Sequence, residues 1–82
     1  MKEVIATSRQ SSQEDVVFLQ TVGVCPSELT HSVQPLLQRA AAQLQAREDG
    51  LRLRLQEGQG AAFVRSLKLL LTSQGICVRA TA

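Results

Sequence analysis

Aromatic residues are scarce in this chain, which contains no Trp, no Tyr and only two Phe among its 82 residues. A hydrophobic core must therefore be built mainly from Leu, Val, Ile and Ala, and hydrophobic residues make up 44% of the sequence. That share suffices for one core, but a domain of this length buries only about 60% of the surface that its unfolded chain exposes. We therefore expect a single domain, residues 1–82, of modest stability.

Residues that bind metals or form disulfides are equally scarce, since the sequence has two Cys and one His. Two cysteines do not make a disulfide framework, and scattered Cys and His residues do not form a zinc ligand set. We therefore expect free thiols, no bound metal and no cofactor.

Long hydrophobic runs are absent as well. No stretch of about 18 apolar residues is present, so we expect no membrane span. The first residues, MKEVIATS, lack the apolar central region of a signal peptide. We therefore expect a cytoplasmic protein.

The clearest pattern in the sequence begins after Gly50. Residues 51–56 and 76–81 each alternate apolar with polar residues, which predicts two strands with one buried and one exposed face. Between them, an apolar stripe at helical spacing is formed by Phe63, Leu67, Leu70 and Leu71. Gly75 follows the stripe, where a helix commonly ends in a left-handed residue. We therefore predict a strand–helix–strand unit with neighbouring parallel strands and helices on one side of the sheet.

The N-terminal part predicts a hairpin. Residues 2–7 and 16–24 have strand composition, and the polar residues 8–15 between them are predicted to form a turn. The two strands should pair antiparallel. The continuous apolar start of the second strand predicts a central position with burial on both faces.

A long helix is predicted next. Residues 25–30 should form a turn, and the helix should end near Arg47, with an apolar stripe of Val33, Leu37, Ala40, Ala41 and Leu44. Proline fits only the first turn of a helix, so either the helix begins near Pro35 or a short turn starting at Pro26 precedes it. The resulting order, β-β-α-β-α-β, predicts an α/β two-layer sandwich in which both helices cover one face of a four-stranded mixed sheet.

Basic charge is concentrated in the C-terminal part. From Leu51 onward the chain has one acidic residue, Glu57, and five basic ones: Arg52, Arg54, Arg65, Lys68 and Arg79. On the two predicted strands, Arg52, Arg54 and Arg79 project from the exposed face. Such a face binds an acidic protein surface or phosphates, or is simply solvated. Aromatic residues for base stacking are absent from the exposed positions of these strands, so nucleic acid is disfavoured as the partner.

Two residues are candidates for group-transfer chemistry. His31 is predicted near a helix N-terminus, where free amides and the helix dipole would stabilise a phosphoryl group; alternatively it is an exposed residue near the cap. Cys25 precedes Pro26 at a helix start, which lowers the pKa of a thiol; alternatively it is a half-buried turn residue. We interpret Cys77, inside a predicted strand, as a packing residue.

A glycine-rich loop is a further candidate site. Its residues Gly58 and Gly60 lead into the second predicted helix, as in loops that cradle phosphate, although the lysine of a P-loop is missing. The alternative is a flexible connector. Ser66, flanked by Arg65 and Lys68, is a candidate phosphoacceptor.

The order hairpin, helix, strand, helix, strand resembles the beginning of STAS domains, the anti-sigma-factor antagonist family. The similar positions are Val16–Thr21, Gly23, Val33, Leu37, Ala41, Leu51–Leu55 and Gly75. The family's Asp-Ser-Ser/Thr-Gly phosphorylation loop is replaced here by Gly-Gln-Gly-Ala-Ala at residues 58–62. The resemblance implies a small non-enzymatic regulator that docks on a partner protein.

Two carrier families are similar over shorter stretches. Residues 53–67 are similar in spacing to the second half of histidine phosphocarrier proteins, which implies a strand at 60–64 and a regulatory serine at Ser66. The Gly-Val-Cys-Pro run that contains Cys25 is similar to the Cys-Pro of small sulfur-relay proteins. We therefore expect a non-enzymatic regulatory or adaptor domain that binds another protein, with a carrier acting through His31 or Cys25 as the alternative.

Overall fold

Seven elements of secondary structure form two layers in the computed structural model, which describes residues 1–81. In chain order they are β1 (Glu3–Gln10), β2 (Glu14–Val22), α1 (Pro26–Arg39), β3 (Gln43–Arg47), β4 (Gly50–Gln56), α2 (Gly60–Ser73) and β5 (Cys77–Thr81). The strands form one mixed sheet in the order β3-β4-β2-β1-β5; of the four strand pairings within residues 1–81, that of β1 with β5 is parallel and the other three are antiparallel. The predicted α/β class with two helices is confirmed, whereas the predicted number of four strands is wrong.

The additional strand is β3, which occupies the segment predicted as the last turns of the first helix. That helix ends at Arg39, not near Arg47. The three alanines at 40–42 favour a helix locally, but Ala41 takes a left-handed backbone conformation with φ of 52° and turns the chain back towards the sheet. Strand β3 then pairs antiparallel with β4, and this long-range pairing overrides the local preference.

Both helices end in a Schellman motif. In α1 the backbone amide of Ala42 donates to the carbonyl five residues earlier at 3.0 Å, and in α2 the amide of Ile76 does the same at 2.9 Å. The left-handed residue of the motif is Ala41 in α1 and Gly75 in α2, where φ is 80°. The predicted helix end at Gly75 is therefore confirmed.

Helix α1 contains both prolines of the sequence. Pro26 lies in its first turn, where a missing amide donor costs nothing. Pro35 lies inside the helix on the exposed side, so the carbonyl of His31 lacks its usual donor four residues later. The predicted turn at 25–30 and the alternative start near Pro35 are both wrong. The helix is continuous because its buried residues lie on both sides of the exposed proline: Leu29, Val33 and Leu37.

Strands β4 and β5 run in the same direction, as predicted, but they are not neighbours. The N-terminal hairpin lies between them, with β2 beside β4 and β1 beside β5. Leu19 pairs with Leu51 on one side of the hairpin, and Val4 pairs with Val78 on the other. The predicted strand–helix–strand unit is therefore split by two strands.

One apolar core lies between the sheet and the helices. It joins alternate residues of β1, β2, β4 and β5 to the buried residues of both helices, which in α2 include Phe63, Leu67 and Leu71. Both helices therefore cover the same face of the sheet, as predicted. Within residues 1–81 no second layer covers the other face of β2, so Val16 and Phe18 are only half-buried. The predicted burial of this strand on both faces is wrong.

Candidate binding face

The face of the sheet opposite the helices, called the open face below, carries the residues that alternate with the core positions. Thr7 and Arg52 lie directly beside Phe18 on the two neighbouring strands, and Arg9 and Arg54 lie beside Val16 in the same way. Residues directly opposite each other in a sheet project to the same side. These side chains therefore belong to one surface, which is centred on β2.

The centre of the open face is apolar. Phe18 and Val16 of β2 and Ile5 of β1 are all half-buried, and Ile5 lies diagonally across the strands from Phe18. The guanidinium carbons of Arg9 and Arg52 lie 5.9 and 6.0 Å from the centroid of the Phe18 ring. At this distance a guanidinium is attracted to the ring. Phe18 thus keeps one arginine from β1 and one from β4 close to the apolar centre.

Charge on the open face is predominantly basic. Strand register places on it two glutamates, Glu3 and Glu14, and five arginines: Arg9, Arg47, Arg52, Arg54 and Arg79. Five positive charges against two negative ones give a net charge of +3. Among residues 1–81, Arg54 forms an ion pair with Glu14 at 3.0 Å and Arg79 with Glu3 at 3.3 Å. The other three arginines give the face its excess of positive charge.

The predicted basic residues lie on the open face, but not together. Arg52 and Arg54 are both on β4, whereas Arg79 is on β5, three strand spacings or about 14 Å across the sheet. Sequence reasoning missed Arg9, which it assigned to a turn, and Phe18, which it assigned to a buried position. Arg9 could have been found from the sequence, because Ile5, Thr7 and Arg9 alternate with core residues along β1.

The glycine-rich loop does not present free amides at both of its predicted positions. Gly58 is exposed, with φ of 85°. Gly60 is buried, and its amide donates to Asp15 Oδ2 at 2.8 Å. A methyl group at Gly60 would lie 2.6 Å from Ser8 Oγ and 2.9 Å from Asp15 Oδ2. The glycine therefore provides room for the carboxylate, and its amide is not available to a phosphate.

Cys25 is exposed at the residue before the first turn of α1, not half-buried. Its Sγ lies 3.1 Å from Ser27 Oγ. The hydroxyl of Ser27, and then the backbone amide of the same residue, lower the pKa of Cys25 below its ordinary value because they stabilise the thiolate. Cys77 is also exposed, on the open face, so its predicted packing role is wrong.

The two candidate phosphoacceptors lie on helices. His31 is exposed in the second turn of α1, where the backbone amides are already within the helix, so the predicted position at a helix N-terminus is wrong. Ser66 is exposed in the middle of α2. Residues 60–64 form the first turns of this helix, so the strand implied by the phosphocarrier resemblance is wrong.

Neither a group of potential metal ligands nor a helix that could cross a membrane is found in the part of the chain that the structure describes. No three His, Cys, Asp or Glu side chains within residues 1–81 are grouped so that they could hold a metal ion. No helix in the same range is long and apolar enough to cross a membrane. Comparison with known proteins gave no family model, no curated protein and no solved structure that matches this chain.

Proposed function

We propose that this chain is a non-enzymatic interaction domain that binds an acidic partner protein through the open face. The observation that carries the proposal is the apolar centre around Phe18, left uncovered by the helices and flanked by the guanidinium groups of Arg9 and Arg52. Arginine and aromatic residues are enriched in the cores of protein interfaces. A net charge of +3 on the same surface would steer an acidic partner towards it.

A regulatory or adaptor role in the cytoplasm is the setting that we propose for this binding. It is the class of function that the resemblance to STAS domains implies. The phosphorylation loop of that family is replaced in this sequence, so the proposal includes no phosphorylation switch.

A carrier that acts through Cys25 is the second candidate. It is favoured by the exposure of the thiol and by the hydrogen bonds from Ser27 that lower the pKa of Cys25. The corresponding proposal for His31 has less support, because this residue lies in the second turn of α1 rather than at its free N-terminus.

Charge reversal tests the proposed binding face. In affinity capture from cell extract, the double substitution Arg52→Glu and Arg54→Glu should abolish recovery of the partner that the wild-type domain retains. The matched control is Arg65→Glu with Lys68→Glu on the exposed side of α2, which should leave recovery unchanged. Circular dichroism spectra should show that both variants are folded. Loss of the partner in the α2 variant alone would assign binding to the helical layer and refute the proposal.

A further inference from the structure

The geometry points to the chemistry of the partner segment: an acidic stretch of protein that carries an apolar side chain, which packs on Phe18 and Val16 while neighbouring carboxylates bind the arginines on either side. This inference rests on the proposed function and specifies what the open face recognises. The inference is based on three adjacent rows of outward-facing side chains on the open face, one each on β1, β2 and β4.

The middle row is apolar between Glu14 and Gln20, because the two outward residues of β2 that lie there are Val16 and Phe18. They lie about 6.7 Å apart along the strand. Both residues are half-buried rather than fully buried, so part of the apolar surface of each remains accessible to a ligand. Removing that surface from water favours a ligand with an apolar group of its own.

Each flanking row places arginine beside the apolar residues, although the β1 row also carries Glu3, Ile5 and Thr7. Arg9 lies beside Val16 on β1, and on β4 Arg52 lies beside Phe18 and Arg54 beside Val16. Each row is one strand spacing, about 4.8 Å, from the apolar row. A guanidinium group matches the fork of a carboxylate and binds it with two hydrogen bonds. A ligand with carboxylates on both sides of an apolar group therefore matches all three rows.

The same face fits a nucleic acid strand less well. Phe18 is the only aromatic residue of the sheet, and two guanidinium groups already lie close to its ring. Glu3 and Glu14 project from two strands of the open face, where they would repel a continuous phosphate backbone. Carboxylates placed individually along a protein segment avoid these two positions.

The test uses three probes: a glutamate-rich peptide with two central leucines, the same peptide with glycines at those positions, and an oligothymidylate of equal charge. Binding is measured by titration with amide chemical-shift mapping on the full chain. The leucine peptide should shift residues of β1, β2 and β4 and bind about tenfold more tightly than the glycine peptide. Phe18→Ser should remove the difference in affinity between the two peptides, whereas Phe18→Leu should keep it. Arg52→Gln should weaken the binding of both peptides. Arg65→Gln on α2 is the matched control and should leave the affinity for each peptide unchanged.

The outcomes separate this inference from the proposed function. Equal binding of both peptides on the open face would refute the apolar anchor and leave the acidic partner in place. Tighter binding of oligothymidylate, lost in Phe18→Leu, would assign the face to nucleic acid and refute both. Shifts confined to the helices, or no binding of any probe, would also refute both.

Discussion

A single buried carboxylate joins the N-terminus of α2 to the sheet. Asp15 is 1% exposed, and its Oδ2 accepts the hydrogen bond of the Gly60 amide at 2.8 Å. Gln59, the residue in the N-cap position, makes no capping bond with its own side chain. Asp15 therefore acts as the cap from a distant strand, and its negative charge lies at the positive end of the helix dipole. Its Oδ1 has no hydrogen-bond partner among the described residues.

Replacement of this carboxylate should weaken the domain. Asp15→Ala should reduce the free energy of unfolding by about 1–2 kcal/mol, because it removes the acceptor of a helix-terminal amide. Asp15→Asn keeps an acceptor at the same place and should cost less. Urea denaturation followed by circular dichroism measures both changes. If Asp15→Ala were as stable as the wild type, the carboxylate would not be the cap of α2.

At the same scale, the sequence showed part of the candidate site. Arg52 and Arg54 were predicted on the exposed side of a strand, because strict alternation with leucines marks one buried and one exposed face. Phe18 was hidden by its neighbours, since Val16 and Leu19 extend an apolar run in which no alternation is visible. Its ring lies at the surface because no part of residues 1–81 forms a second layer over β2, which is a property of the fold and not of the local sequence.

At the level of elements, helix ends decided which predictions succeeded. Gly75 gave a clear stop, because glycine takes the left-handed conformation without a steric cost. Ala41 ends α1 in the same left-handed conformation, but no glycine marks this position in the sequence. An alanine in the left-handed region is rare, and this one lies in a run of three alanines. The sequence therefore predicted a helix in the place of β3, and the missing strand followed from one unrecognised residue.

This explanation predicts that Ala41→Gly stabilises the protein. The substitution removes a left-handed cost of about 1 kcal/mol or more, partly offset by the greater freedom of glycine in the unfolded chain. A net gain of about 0.5–1 kcal/mol should raise the midpoint of thermal unfolding by a few degrees. Ala40→Gly is the matched control, because Ala40 has φ of −88° and should gain nothing. A destabilised Ala41→Gly variant would contradict the left-handed assignment.

For the whole molecule, the two-layer architecture followed from local patterns, whereas the strand order did not. Alternation in 51–56 and 76–81 showed that helices cover one face, and this held. The short helical connection between those two strands predicts that they are neighbours, but the hairpin of β1 and β2 lies between them. Sheet order depends on long-range pairing, which leaves no mark in the spacing of residues along one strand.

The same order predicts how stability is distributed over the sheet. Strand β2 lies at the centre with a neighbouring strand on each side. Strand β3 is a five-residue edge strand whose residues are all exposed, and within residues 1–81 it pairs with β4 alone. Few buried contacts favour local opening, so the amides that β3 donates to β4 should exchange with solvent at a much lower opening free energy than those of β2. Native-state hydrogen exchange by NMR measures both, with the other edge strand, β5, as the internal comparison because its Val78 is buried. Equal protection of β3 and β2 would show that the sheet opens only as a unit.

Phe18 lies on β2, the strand that we expect to open least readily. The apolar centre of the open face should therefore be held in place before a partner binds.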